Sequence, residues 1–208
     1  VNGTTDVGGL VGRNINDIYN SYSTGSVNGT TDVGGLVGYN GGTVSNSYWD
    51  TETSGQLVGI GSGLITGATG RTSAEMMSMA SFTGFNIADT GGAGMIWRIY
   101  EGYTTPWLTY FLTPLTVTAT ADSKTYNGLV YSGGNGVTYS VASPTLSGVL
   151  AYSGTSQVAI NAGGYVITPG GYYSDQQGYD VSYVNDALTI TPVPLTVTAN
   201  AASKTYDG

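Results

Sequence analysis

Apolar residues in the first fifty positions come in short runs between glycines, not at helical spacing. Val7, Leu10 and Val11 are followed by Ile18 and Tyr22, and the same order returns at Val33, Leu36, Val37, Val44 and Tyr48. Over one stretch the return is literal: VNGTTDVGGLVG fills residues 1–12 and again 27–38. Asn14 then answers to Asn40, and Asn20 to Asn46. An offset of 26 residues is too long for one helix or strand and predicts stacked coils, each burying its apolar face on the next. Residues 33–38 read as one strand and 43–48 as another of period two, with Val44, Asn46 and Tyr48 facing inward. Coils about 4.8 Å apart would stack Asn20 on Asn46 and Tyr22 on Tyr48 as internal ladders. The pairs Gly8-Gly9 and Gly34-Gly35 fit corners where a side chain would clash or φ must be positive.

After Trp49 the pattern lapses, and residues 50–71, rich in Gly, Ser and Thr, read as an irregular final coil. Thr72 and Glu75 are spaced as a capping box ahead of MMSMA. That predicts a short helix near 73–80, with Met76, Met79 and Ala80 on one face, covering the open end of the stack. Residues 95–100 (MIWRIY) form the best strand of this region, and Trp97, Trp107 and Tyr110 are expected to pack the cap in preference to forming a sugar platform. A second repeat starts at Pro114: PLTVTATADSKTYNG over 114–128 returns as PLTVTANAASKTYDG over 194–208. Leu115, Val117 and Ala119 alternate with threonines, so one face is buried and the other wet. Turn signals at Asn127-Gly128 and Asn135-Gly136 precede candidate strands at 137–142, 148–152, 157–168, 179–183 and 187–191. The expected division is 1–60 for the coils, 61–112 for the cap, 113–191 for one module, and 192–208 for a linker plus the first strand of a truncated second module. The fold class is all-β with one short helix.

Composition sharpens this. The chain has 34 glycines and only 9% charged residues, which suits tightly turned β structure. Five cationic side chains against 13 acidic ones give a net charge of −8, which repels phosphate backbones and anionic head groups, so nucleic acid is not an expected partner. No apolar run of about 18 residues occurs, and membrane insertion is not expected either. The opening without Met and the ending on SKTYDG read as a piece of a longer chain.

With no His and no Cys, serine and cysteine triads, histidine acid–base chemistry and thiolate or imidazole metal sites are excluded, and no cofactor is expected. Ser123-Lys124 and Ser203-Lys204 are adjacent on extended chain and point to opposite faces, which disqualifies them as dyads. Asp50 and Glu52 would share a face roughly 6 to 7 Å apart, near the spacing glycosidases use, yet two acids in a polar loop are ordinarily just solvated. Asp6 and Asp32 recur in TTDVGG and could line up as a Ca²⁺ column, although an Asx turn explains them equally well. Asn2-Gly3-Thr4 and Asn28-Gly29-Thr30 fit the glycosylation acceptor pattern but are first of all turns. Among 17 tyrosines, Tyr172, Tyr173 and Tyr179 flank a Gly-rich, charge-poor loop and are the candidates for exposed glycan contact.

GGLVG followed by Asn, a Val or Ile and NSY resembles the GLUG motif, named for its Gly-Leu-any-Gly core, of repeats in large bacterial surface proteins. Two copies stand in register, and the resemblance implies a right-handed parallel β-solenoid. SKTY with Asn-Gly or Asp-Gly, then NAGGYVITP and YDVSYVNDALTITP, resembles the MBG or YDG domain over 114–191, implying a mostly-β, β-grasp-like module. Asn127 stands where that name motif has Asp, and Asp186-Ala187 replaces an expected Asn-Gly turn. Together the resemblances imply a filamentous-haemagglutinin-like adhesin, secreted or on the bacterial cell surface and serving cell adhesion and biofilm formation. This region would be a non-catalytic stalk. Its expected partners are a receptor or glycan on a host or neighbouring cell and adjacent repeats of the same chain. The alternative is a carbohydrate-binding or carbohydrate-active surface protein using the coils or the Tyr-rich loop.

Overall fold

Both copies of the literal repeat fold into the same strands. In the first coil these are β1 (Thr5–Gly8) and β2 (Val11–Asn14), followed by β3 (Asp17–Tyr19) and β4 (Tyr22–Ser23). The second coil repeats them as β5 (Thr31–Gly34), β6 (Val37–Asn40), β7 (Thr43–Ser45) and β8 (Ser47–Asp50). The computed structural model describes residues 1–208. Each strand pairs in parallel with its copy, Val7 on Val33, Val11 on Val37, Ile18 on Val44 and Tyr22 on Tyr48. Consecutive coils stacked this way have the geometry of a short parallel β-solenoid. A third coil continues it: β9 (Ile60–Gly63) pairs with β6, and β10 (Ala68–Arg71) with β8.

The interior holds Ile18, Leu36, Val37, Val44, Trp49 and Ile60. Leu36, sandwiched between coils, is fully buried, whereas its copy Leu10 in the end coil is 43% exposed. Complete burial of one such side chain stabilises by about 1.5–3 kcal/mol. The glycine pairs serve close approach: a Cβ on Gly34 would lie 2.1 Å from the Val37 carbonyl oxygen, and one on Gly35 2.1 Å from the Trp49 ring. Positive φ falls instead on Asp6, Asn20, Asp32 and Asn46, at 51°, 48°, 51° and 43°. Asp and Asn are the side chains that tolerate this left-handed region best.

That conformation corrects the expected ladder. Asn46 breaks the second coil between β7 and β8 and is exposed, and Asn20, half-buried with its Oδ1 enclosed, breaks the first coil between β3 and β4, so both turn corners instead of standing within a strand. The buried amides that do stack are Asn14 and Asn40, with Asn14 Nδ2 donating to Asn40 Oδ1 at 2.8 Å. Asn40 Nδ2 donates in turn to the Leu64 carbonyl at 2.8 Å, where Gly63 pairs with Asn40 and offers no further amide. The corner at Asn46 also divides Val44 from Tyr48, which belong to different clusters.

The single α-helix is α1 (Thr51–Ser54), capped by Asp50, whose carboxylate accepts from the Glu52 and Thr53 N–H groups. The helix predicted near 73–80 is two 3₁₀ turns, Glu75–Met77 and Met79–Ser81. Thr72 and Glu75 do make their reciprocal bonds. Glu101 stops the helix: it accepts from Ser78 Oγ and the Met79 N–H at 2.8 and 2.7 Å, holding Ser78 extended. Phe82 packs edge-on against both Tyr22 and Tyr48, with Met76, Phe85 and Ile99 alongside. The segment therefore flanks the first two coils where the sequence reading places it over the open end. Its strands are β11 (Ile87–Ala88), β12 (Trp97–Arg98) and β13 (Trp107–Leu108). Tyr110, expected in the packing, is 90% exposed.

The chain divides into two compact units. One comprises Val1–Thr116, Ser140–Val149 and Tyr172–Ser182; the other comprises Val117–Tyr139, Leu150–Gly171 and Tyr183–Gly208. The remaining strands are β14 (Thr113–Ala119), β15 (Asp122–Thr125), β16 (Val137–Tyr139), β17 (Ser147–Ser153), β18 (Gly163–Tyr173), β19 (Tyr179–Val184) and β20 (Asp186–Thr191). Within the second unit β20 lies between β15, parallel, and β18, antiparallel. Ala119, Ala159, Ile167, Leu188 and Ile190 form its core. Leu115, Val117 and Ala119 are buried and their threonine neighbours half-buried, as alternation predicts. Residues 192–208 form no strand. No helix is long and apolar enough to cross a membrane.

Candidate functional site

The loop between β18 and β19 is flanked by the three tyrosines singled out from the sequence, Tyr172 and Tyr173 ending β18 and Tyr179 opening β19. It closes through a turn over 175–178, in which the Gly178 N–H donates to the Asp175 carbonyl at 3.1 Å. Asp first and Gly fourth is a turn signature that the sequence displays. A Cβ on Gly178 would lie 1.9 Å from Ser174 Oγ, so only glycine fits. Gln177 sits at φ 68°, a left-handed conformation that costs a side chain other than Gly about 1–2 kcal/mol.

All three tyrosines are half-buried. Tyr173 stacks on Tyr103, with ring centroids 4.5 Å apart and planes 18° from parallel, and leans on Tyr100. Tyr172 precedes it at the end of β18. Tyr179 alone lines a cleft of about 430 Å³, together with Ser174 and the turn residues Asp175, Gln177 and Gly178. Thr113, Val141, Thr145 and Ser147 complete the lining, which carries one carboxylate and no cation.

The backbone of Tyr179 is held on both sides. Its N–H donates to Ser174 Oγ at 2.9 Å, and its carbonyl accepts from the Tyr100 hydroxyl at 2.6 Å. That hydroxyl also accepts from the Val181 N–H at 3.1 Å. The Thr113 N–H fastens the turn through the Gly178 carbonyl at 2.9 Å. Beneath lies the buried Arg98, its guanidinium 3.9 Å from the centre of the Tyr100 ring and 3.2 Å from the Asp180 carboxylate. The other Asp180 oxygen accepts from the Gly92 N–H at 2.8 Å. Deleting one member of such a buried pair leaves the other charge uncompensated, at a cost of about 3–5 kcal/mol. The pairing of Arg98 with Asp180 had no sequence signal, because 82 positions separate them and no pattern links the strand MIWRIY to YDVSYVNDALTITP.

The other candidates have structural employment. Asp50 caps α1 and accepts from Ser73 Oγ at 2.7 Å, while Glu52 accepts from the Ser73 N–H at 2.8 Å. Asp6 pairs with Arg13 at 3.3 Å, and no third acidic group gathers with Asp6 and Asp32. Lys124 donates to the Leu129 carbonyl at 2.8 Å, and Lys204 pairs with Asp207 at 2.9 Å. Asn28 Nδ2 donates to Asn2 Oδ1 at 3.1 Å, linking the two exposed Asn-Gly turns.

With this geometry in hand, comparison with protein families matches residues 3–28 to the Glug family, described as the GLUG motif. Residues 3–28 are thus a GLUG-containing region, covering the first coil and the entry to the second. No curated protein and no solved structure matches the chain.

Proposed function

We propose that this chain is a stalk and display segment of a large secreted or cell-surface bacterial adhesin, with no catalytic role of its own. The observation that carries the reading is the register of the literal repeat, Val7 on Val33 and Val11 on Val37. Each added coil of this kind advances the stack by one inter-strand spacing, about 4.8 Å, without needing a new kind of interface. Support also comes from the GLUG match and from the likeness of 114–191, with its restart at 194, to MBG modules. Of the acids best placed in sequence for glycan cleavage, Asp50 caps α1 and Glu52 accepts from the Ser73 N–H.

Antibodies raised against this chain should label intact, unpermeabilised producing cells at their surface, and deleting the segment in frame should reduce attachment while leaving secretion intact. In parallel, the purified chain should release no reducing or unsaturated ends from a polysaccharide panel. Labelling only after permeabilisation, or sustained release that Asp50→Asn abolishes, overturns the proposal.

A further inference from the structure

We infer that the cleft at the 175–178 turn binds a neutral oligosaccharide, a role beyond that of a stalk and independent of it. At about 430 Å³ the cleft falls within the roughly 300–1,000 Å³ of ligand sites. Its chemistry removes the other ligand classes in turn. An anion finds no cationic side chain in the lining, faces Asp175, and approaches a chain of net charge −8. A hard divalent cation needs about six to eight oxygen ligands, and the lining offers one carboxylate. A wholly apolar ligand would strip water from Asp175, Gln177 and hydroxyl side chains such as Thr145 and Ser147 without replacing their hydrogen bonds.

A neutral sugar answers each of these groups. Its vicinal hydroxyls can donate to the two oxygens of Asp175, and the Gln177 amide both donates and accepts. Thr145 and Ser147 supply hydroxyls of either sense, and Tyr179 supplies an aromatic body with a polar tip. The site is also held in advance of binding. The Tyr179 backbone is fixed through Ser174 Oγ and the Tyr100 hydroxyl, and that of Gly178 through the Thr113 N–H. Binding therefore loses little to ordering of this wall. Gln177 joins the lining from a left-handed backbone that glycine would adopt more readily. A strained residue at such a position is a recurrent mark of a functional site.

The test is amide NMR on the ¹⁵N-labelled 208-residue chain, titrated to about 10 mM with maltohexaose, cellohexaose, mannohexaose, chitohexaose and, as the acidic arm, hexagalacturonate; this exceeds a weak dissociation constant of about 1 mM tenfold. At least one neutral hexasaccharide should shift amides at Thr113, 141–143, 145–147 and 174–179. The double variant Asp175→Asn, Gln177→Gly keeps the turn and its left-handed residue, and should weaken that binding at least about tenfold, or 1.4 kcal/mol. Thr145→Ala, which leaves the turn untouched, should weaken it several-fold and guards against a folding defect in the double variant. Absence of shifts with every probe, shifts only elsewhere, hexagalacturonate binding as well as the best neutral sugar, or unchanged affinity in folded variants each overturns the inference.

Discussion

Asn40 shows how one buried amide can organise a coil. Its Oδ1 accepts from Asn14 Nδ2 at 2.8 Å and from the Gly42 N–H at 3.2 Å, while its Nδ2 reaches the Leu64 carbonyl. Asn40→Ala deletes all three bonds and leaves buried polar groups unmatched, so it should destabilise by about 2–4 kcal/mol. Asn46→Gly, at an exposed corner with φ 43°, should change stability by less than about 0.5 kcal/mol, since glycine accepts the same conformation. Denaturant midpoints of the two variants decide it, and equal losses would contradict the assigned roles. In the second unit, burial and then a 2.8 Å hydrogen bond to Asp122 push the Tyr131 hydroxyl up to about 12. Because the folded value lies above the ordinary tyrosine value of about 10, this contribution to stability is complete below that pH and is lost as pH rises towards 12. Burial also raises the Tyr22 hydroxyl, so absorbance titration should show a late-ionising fraction that Tyr131→Phe reduces by one tyrosine without abolishing it, along with a shallower loss of stability above the ordinary value.

Elements in this chain depend on partners more than on propensity. Residues 114–128 and 194–208 are nearly the same sequence, yet the first supplies most of β14 and all of β15, and the second forms no strand. Leu115 is 1% exposed and its copy Leu195 is 86% exposed. A lone strand cannot recover the roughly 1–2 kcal/mol of backbone entropy lost per ordered residue. Amide hydrogen exchange should accordingly find residues 195–199 unprotected while 115–119 are protected. Equal protection would mean the tail pairs with something in solution. The same dependence explains what the sequence could and could not tell. Repeat offset, register and the buried face of β14 follow from periodicity and were legible. The corners at Asn20 and Asn46 were not, because an extended period-two reading carries no sign of a left-handed residue beyond the Asn itself. The capping box at Thr72 was legible, whereas Glu101, which cuts the helix short, acts from 23 residues away on Ser78.

For the molecule as a whole, the candidate cleft was legible only at Tyr179 and in the turn signature of Asp175 and Gly178. Its other walls come from segments around Thr113, Val141 and Ser174, which no local pattern joins. The stack of coils was far more open to reading, because its long-range contacts are contacts between copies. That property reaches beyond one molecule into heredity. A slip in copying the gene that duplicates residues 1–26 would insert a coil facing, on one side, the neighbour it already has and, on the other, one identical to that neighbour over twelve residues. The product would need no compensating substitution to stay folded. Length in such a lineage can change by whole coils in a single generation, long before selection has tested any individual residue.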